Sequence, residues 1–369
     1  MRLLVLGSLN PNLIRAKLEP LVACGWVDHV LWLGRQAGPA LPKVAYETVP
    51  DEPAPIRRSL RYLGRALAAA RRERPDLILA YNLVPFGLYA RLCAWAVGRP
   101  YAVAVIGGPR EVERGGGRLD NRLLARWPLV GRALAPLLPG VLRGARFVTT
   151  TGTATREALV AAGVPGERIV PLPSAVDPAR FHTASGLGPR PARWDVLTVA
   201  RLIRRKRLDR LLDMVERLRA GRPALRVAVA GDGPLRGELA AEVARRGLGD
   251  AVSLLGWRDD VRPLLWESRV MVLTSAAEGL PLSMIEAMGC GVPCVAPAVG
   301  DSADLVRDGV NGCLVPPDDG TALTRAVDAL LSDEAARVRM AAAAAAAVRD
   351  GFTTAHATER WEMIRARFL

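Results

Sequence analysis

Histidine is close to absent from this chain, with three residues in 369. Acid–base chemistry that needs several imidazoles around one substrate is therefore disfavoured. The five cysteines are an odd number at irregular spacing. Cys290 and Cys294 have the separation of a metal or redox pair, yet no histidine lies near them. They read as small buried residues in a reducing compartment, and the cytoplasm is the expected location. Aromatics are scarce, with five Phe and five Tyr, and no aromatic–basic recognition motif is visible. That argues against nucleic acid as a partner. No apolar run approaches the length of about 18 residues that a membrane-spanning helix needs. The nearest stretch, Leu77 to Ala90, is broken by Asn82 and Pro85. Met1 to Gly7 is too short an apolar run for a signal peptide and reads as a first strand. Gly-x-Gly-x-x-Gly is missing after that strand, which argues against a dinucleotide oxidoreductase.

What is present is a folded chain of two-domain length, half apolar and 24% charged. The net charge is +14 and unevenly placed. Residues 1–185 hold 25 Lys+Arg against 13 Asp+Glu, whereas 186–369 hold 26 against 24. An excess confined to one half points to an anionic partner there: a membrane surface, an anionic acceptor or nucleic acid. Leu119 to Phe147 carries the same signal locally. Leu123, Leu124, Trp127 and Leu129 are interleaved with Arg122, Arg126, Arg132 and Arg143. One reading is a core helix pair with a solvated basic face; the other is a segment resting among lipid headgroups.

Apolar strands and amphipathic helices alternate throughout, as in a doubly wound α/β chain. In the first half, strands are expected at 3–6, 29–33, 76–80 and 101–105, with helices near 17–23, 60–74 and 86–97. Val148-Thr-Thr-Thr-Gly152 with the helix after it would end the first Rossmann-like domain. In the second, strands are expected at 196–200, 226–230, 252–255, 270–273, 294–296 and 312–315. Helices follow at 208–219, 236–246, 261–267, 281–288, 322–331, 335–349 and 354–368. The 174–191 region, with Gly186, Gly188, Pro189 and Pro191, reads as the end of an interdomain linker. The paired acids Asp259-Asp260 and Asp318-Asp319 sit where helix caps are expected, and being adjacent they point different ways.

The stretch that organises the second half is Glu278-Gly-Leu-Pro-Leu-Ser-Met-Ile-Glu286. It follows an apolar strand and opens a helix, with Pro281 in the first turn. A helix start suits phosphate, and Glu286 lies roughly 8 Å further along. A ligand with hydroxyls at each end and phosphates between them matches that spacing, and a nucleotide sugar is such a ligand. A structural role for two glutamates around a strand–loop–helix is the plain alternative.

Around this stretch lie Val199-Ala-Arg-Leu-Ile-Arg-Arg-Lys206, Ala230-Gly-Asp-Gly-Pro234, Leu255-Gly-Trp257, Ala287-Met-Gly-Cys-Gly-Val-Pro293 and Asp308-Gly-Val-Asn-Gly312. In this order they resemble the donor-binding half of retaining glycosyltransferases of the GT-B fold, family 4, from about Pro171 to Pro317. The resemblance implies two Rossmann-like domains: 1–185 for the acceptor, 186–350 for the nucleotide sugar, and a helix over 351–369 returning to the first. It places Arg201 and Lys206 on the diphosphate and Glu278 on the donor sugar, these three being the catalytic candidates. Gly279, Leu280, Pro281 and Leu282 would meet phosphate, Glu286 the ribose, and Gly256, Trp257 and Arg258 the base. Gly231 allows close backbone approach, and Gly7 enters the cleft from the first domain. Asn10, Gly107, Gly108 and Arg110 are the acceptor-side candidates.

Two departures from the family pattern stand out. Ile106 replaces the usual histidine before Gly107, with Glu111 able to take the acidic place that follows. Arg207 replaces the usual glycine after the lysine. The implied function is transfer of a hexose to a hydroxyl acceptor, such as a lipid-linked glycan or other envelope precursor. No metal and no cofactor beyond the donor is expected. The cytoplasm is the expected setting, either free or attached peripherally to the inner face of the cytoplasmic membrane. The rival readings are an epimerase or phosphorylase of the same fold, or a basic nucleic-acid-binding protein.

Overall fold

The computed structural model describes residues 1–50, 52, 54–113, 135–183 and 192–369. The chain divides into two compact units, Met1–Ala175 with Thr354–Leu369, and Val176–Thr353. The division falls after Ala175, earlier in the chain than 185. The linker glycines and prolines at 186–191 lie outside the described residues, as do Leu123, Leu124, Trp127, Leu129, Arg122, Arg126 and Arg132.

The first unit is built on a parallel sheet of seven strands. They are β1 (Arg2–Leu6), β2 (His29–Gly34), β3 (Val44–Thr48), β4 (Leu77–Tyr81), β5 (Tyr101–Val105), β6 (Val148–Thr150) and β7 (Ile169–Pro171), in the order β3-β2-β1-β4-β5-β6-β7. The central strands read as unbroken apolar runs because helices cover both faces: β4 and β5 are buried at every position. β3 and β7 were not among the expected strands. β3 is an edge strand with no fully buried position, and β7 is a three-residue edge strand ending in proline. The helix expected at 60–74 starts earlier, over Pro55–Glu73, with proline in its first turn. The last helix, Thr354–Phe368, belongs to this unit. It buries Trp361 and Ile364 among Leu3, Val5, Ile14, Leu18 and Phe147, and Thr358 donates to the Pro20 carbonyl at 3.1 Å.

The second unit has six parallel strands. They are β8 (Trp194–Val199), β9 (Val227–Ala230), β10 (Val252–Gly256), β11 (Ser268–Val272), β12 (Cys294–Pro297) and β13 (Gly312–Val315), in the order β10-β9-β8-β11-β12-β13. Each matches an expected strand to within two residues. Both units are thus Rossmann-like, and in both the direction of winding reverses at one place. In the first unit this is between β1 and β4, and in the second between β8 and β11. Loops leaving the carboxyl ends of strands at such a reversal diverge and leave a crevice, where ligands of this architecture bind.

Candidate active site

In the second unit the loop after β8 carries Arg201 to Lys206, and the loop after β11 carries Thr274 to Pro281. Both therefore leave the reversal point. Two hydrogen bonds tie them together: Ala276 N–H donates to the Arg205 carbonyl at 2.8 Å, and the Thr274 hydroxyl to the Lys206 carbonyl at 2.7 Å. The result is that Lys206 Nζ donates to Glu278 Oε1 in a closely made ion pair, with side chains only 11% and 7% exposed. Residues 72 positions apart, both singled out in the sequence, meet directly. Burial opposes ionisation of Glu278, but Lys206 and Arg205 outweigh it and hold the carboxyl below its ordinary range.

Glycines shape the rest of this crevice. Gly231 has φ +143°, and a Cβ there would lie 1.9 Å from the Ala200 carbonyl oxygen. A Cβ on Gly300, at φ +59°, would lie equally close to the Glu278 carbonyl. The backbone at Glu278 is thus clamped from behind by a residue the sequence did not single out. Gly256, at φ +73°, accepts from Gly231 N–H at 2.8 Å. Trp257 beside it is 41% exposed and donates from Nε1 to Asp259 at 2.8 Å. Arg201 and Arg258 are exposed.

Pro281 is the residue before the helix and not within its first turn, so the helix runs over Leu282–Gly289. Leu280 faces the apolar core, leaving its backbone to serve the crevice. Glu286 is 6% exposed. Burial pushes its carboxyl up to about 8; Arg180 draws it down, while Asp260 pushes it further up. Arg180, unnoticed in the sequence, is the cation whose charge acts on it. Arg207, where glycine is usual, adopts φ +47°. That left-handed conformation is why glycine suits the position, and here Arg207 holds it while pairing with Asp209 at 2.8 Å.

The first unit places its candidates differently. Asn10 is occupied as a helix cap, its side chain accepting from Leu13 N–H at 2.8 Å. Gly7 is a packing glycine: a Cβ would approach the Trp32 ring to 2.9 Å. Glu111 lies buried in the short helix Pro109–Glu113 and accepts three hydrogen bonds. The donors are Leu83 N–H at 2.5 Å, Gly107 N–H at 2.7 Å and Asn82 Nδ2 at 3.3 Å. It therefore fixes the loops after β4 and β5, the latter carrying Gly107, Gly108 and Arg110. Asn82 itself has φ +75°.

Of the paired acids, Asp319 caps the helix Gly320–Ser332 through Thr321 and Ala322 N–H, and Asp260 accepts from Arg262 N–H at 3.0 Å. Asp259 does not cap: it takes Trp257. Asp318 does not cap either, pairing instead with Arg210. Among the described residues no group of three or more His, Cys, Asp or Glu side chains is gathered as metal ligands. Cys290 and Cys294 are free and buried, and burial raises both thiols.

Two family models match the chain: a glycosyl transferase 4-like domain over residues 14–175 and glycosyl transferases group 1 over 193–333. A lipopolysaccharide core biosynthesis glycosyltransferase, LpsE, from Rhizobium meliloti is 31% identical over 146 residues, 40% of this chain and 42% of that protein. The exopolysaccharide phosphotransferase SCO2592 of Streptomyces coelicolor is 31% identical over 175 residues, 47% of this chain and 18% of its own length. The chain thus spans less than half the length of these curated relatives. Among solved structures, Anabaena Alr3699/HepE in complex with UDP-glucose superposes with a TM-score of 0.78 at 20% identity, covering 99% of this chain and all of that one. Sucrose-phosphate synthase from Thermosynechococcus elongatus gives 0.76, also at 20%, over 100% of this chain and 99% of that one. Both likenesses concern the fold. The chain accordingly has a GT-B architecture, with a glycosyl transferase 4-like domain matched to its first unit and a glycosyl transferases group 1 domain matched to its second.

Proposed function

We propose that this protein is a retaining, metal-independent glycosyltransferase of family 4, moving a hexose from a nucleotide-diphosphate sugar to a hydroxyl acceptor. The observation that carries the proposal is the meeting of Lys206 and Glu278 at the reversal of the second sheet, just ahead of the helix that carries the buried Glu286. Arg201 and Lys206 would neutralise the diphosphate as negative charge develops on it, a task fixed cations perform without reorganisation. Glu278 would accept from sugar hydroxyls and Glu286 from the ribose. In the step itself, the bond from the anomeric carbon to the phosphate oxygen breaks and a bond to the acceptor oxygen forms on the same face. The acceptor proton passes to the departing phosphate. Trapping a covalent glycosyl-enzyme would count against same-face attack.

The acceptor we propose is a lipid-linked or other cell-envelope precursor, met by the first unit at the inner face of the cytoplasmic membrane. Exposed groups on two adjacent helices of that unit support this. Trp95 is 86% and Leu60 64% exposed, with Ile56 and Leu92 also outward. Arg57, Arg61 and Arg91 on the same helices, and Arg99 just after the second, are exposed too. Aromatic and aliphatic groups set among arginines suit anionic headgroups. Trp95→Ala with Leu60→Ser should weaken sedimentation with anionic vesicles; unchanged binding would remove the membrane from the proposal.

The principal test is release of nucleoside diphosphate from a panel of UDP-, GDP- and ADP-sugars with envelope-type acceptors. Lys206→Ala and Glu286→Ala should each lower donor turnover by at least tenfold while the fold survives. Near-normal turnover in both would show the site to be misplaced.

A further inference from the structure

Lys206 and Glu278 are both given to the donor in the reading above, yet in the second unit each is the other's partner. The pair is nearly buried, at 11% and 7% exposure, and the two hydrogen bonds from Thr274 and Ala276 hold its loops together. Breaking such a pair from one side leaves a desolvated charge without compensation, which is the costly outcome. A bare nucleoside diphosphate would do that. Its phosphates would draw Lys206 Nζ towards themselves and leave the Glu278 carboxylate with Arg205 and Ser275 but without its closest cation. A nucleotide sugar would not, because its hydroxyls can donate to Glu278 as the ammonium turns to phosphate.

Resting on the proposed donor site, we infer that Lys206 is exchanged between Glu278 and the diphosphate, so that Glu278 discriminates donor from product. While the sugar is present, its hydroxyls occupy the carboxylate and the lysine serves phosphate. Once the sugar has gone to the acceptor, Glu278 loses those donors and reclaims Lys206. The diphosphate then holds one cation fewer and leaves. Glu278 thus has a second task, separate from orienting the sugar: it weakens the hold on the spent nucleotide. The backbone supports a carboxylate that does not move during this exchange. Gly300 backs its peptide, and Asp301 N–H donates to the Gly279 carbonyl at 3.1 Å.

The test is titration calorimetry of the full chain with UDP, GDP and ADP, and with the glucose conjugate of each, for the native protein and Glu278→Gln. The amide keeps the shape and removes the charge that competes for Lys206. For whichever nucleotide binds, Glu278→Gln should hold the bare diphosphate at least tenfold more tightly than the native protein does. Its preference for the sugar conjugate over the bare diphosphate should shrink or reverse. In Lys206→Met with Glu278→Gln the gain should vanish, since there is then no lysine to release. A native protein that binds a nucleotide, with Glu278→Gln binding the bare diphosphate no better, overturns the exchange alone. A native protein that binds none of the six ligands overturns the donor site itself, and the exchange with it. Circular dichroism of each variant separates lost binding from a lost fold.

Discussion

Replacing Lys17 by methionine should change how the first unit responds to alkali. Lys17 sits in the helix Pro11–Ala23, 4% exposed, donating from Nζ to the Leu172 carbonyl at 3.1 Å. Burial, with a smaller push from Arg360 on the last helix, lowers its amine from 10.5 to about 7. The folded protein therefore resists holding a proton that the unfolded chain keeps up to about pH 10.5. Below about pH 7 both states are protonated and the penalty is constant. As pH rises from there the unfolded state binds more protons than the folded one, so stability increases. At roughly 1.4 kcal/mol per unit, the full penalty is on the order of 5 kcal/mol below neutrality and fades by about pH 10.5. Methionine removes that penalty but leaves the Leu172 carbonyl without its donor, costing about 1–3 kcal/mol. Lys17→Met should therefore be more stable than the native protein near neutrality. It should lose that advantage, or fall behind, at about pH 10. Urea unfolding of both proteins across this range, read on the transition of the first unit, measures the difference. A difference independent of pH would refute the claim that Lys17 is held neutral by burial.

Glu286 predicts the opposite slope for the second unit. Its raised carboxyl means that stability falls as pH climbs from 4.5 towards about 8, so Glu286→Gln should flatten that decline. Thermal unfolding over this range checks it, and an unchanged slope would contradict the burial argument. Glu111→Ala strips three donors of one carboxylate and should cost about 3 kcal/mol, with Glu111→Gln losing less. A cost below about 1 kcal/mol in denaturant unfolding would mean the loops after β4 and β5 are held by something else. Gly300→Ala forces a methyl group onto the Glu278 carbonyl at a positive φ. It should lower the melting temperature and nucleotide affinity together, and a normal melting temperature would show the clamp to be compliant.

The second unit was legible from sequence almost strand for strand, because buried parallel strands declare themselves as short apolar runs between helices of regular period. Lys206 and Glu278 were legible one at a time, each by the motif around it. Their pairing was not, since it arises from two loops converging where the sheet reverses. Gly300 and Arg180 act through space on Glu278 and Glu286 from distant parts of the chain, and nothing in their own neighbourhoods marks them. In the first unit β3 escaped notice because a half-exposed edge strand has no continuous apolar run. Asn10 was singled out by its position near a strand end, and the structure adds that its side chain caps the helix that Pro11 opens. Arg207 illustrates the reverse. The departure from glycine was plain in the sequence, but only the backbone angle shows what the residue has to tolerate.

The return of Thr354–Phe368 to the first unit has a bearing on synthesis. Met1–Ala175 leaves the ribosome well before Trp361 and Ile364, and without them its inner face is open at Ile14, Leu18 and Phe147. The segment translated in the middle can complete its core first, while the segment translated earliest waits for the final helix. A nascent chain stalled just short of that helix would expose the apolar surface that chaperones grasp, and the amino-terminal lobe becomes whole only once that helix has been made.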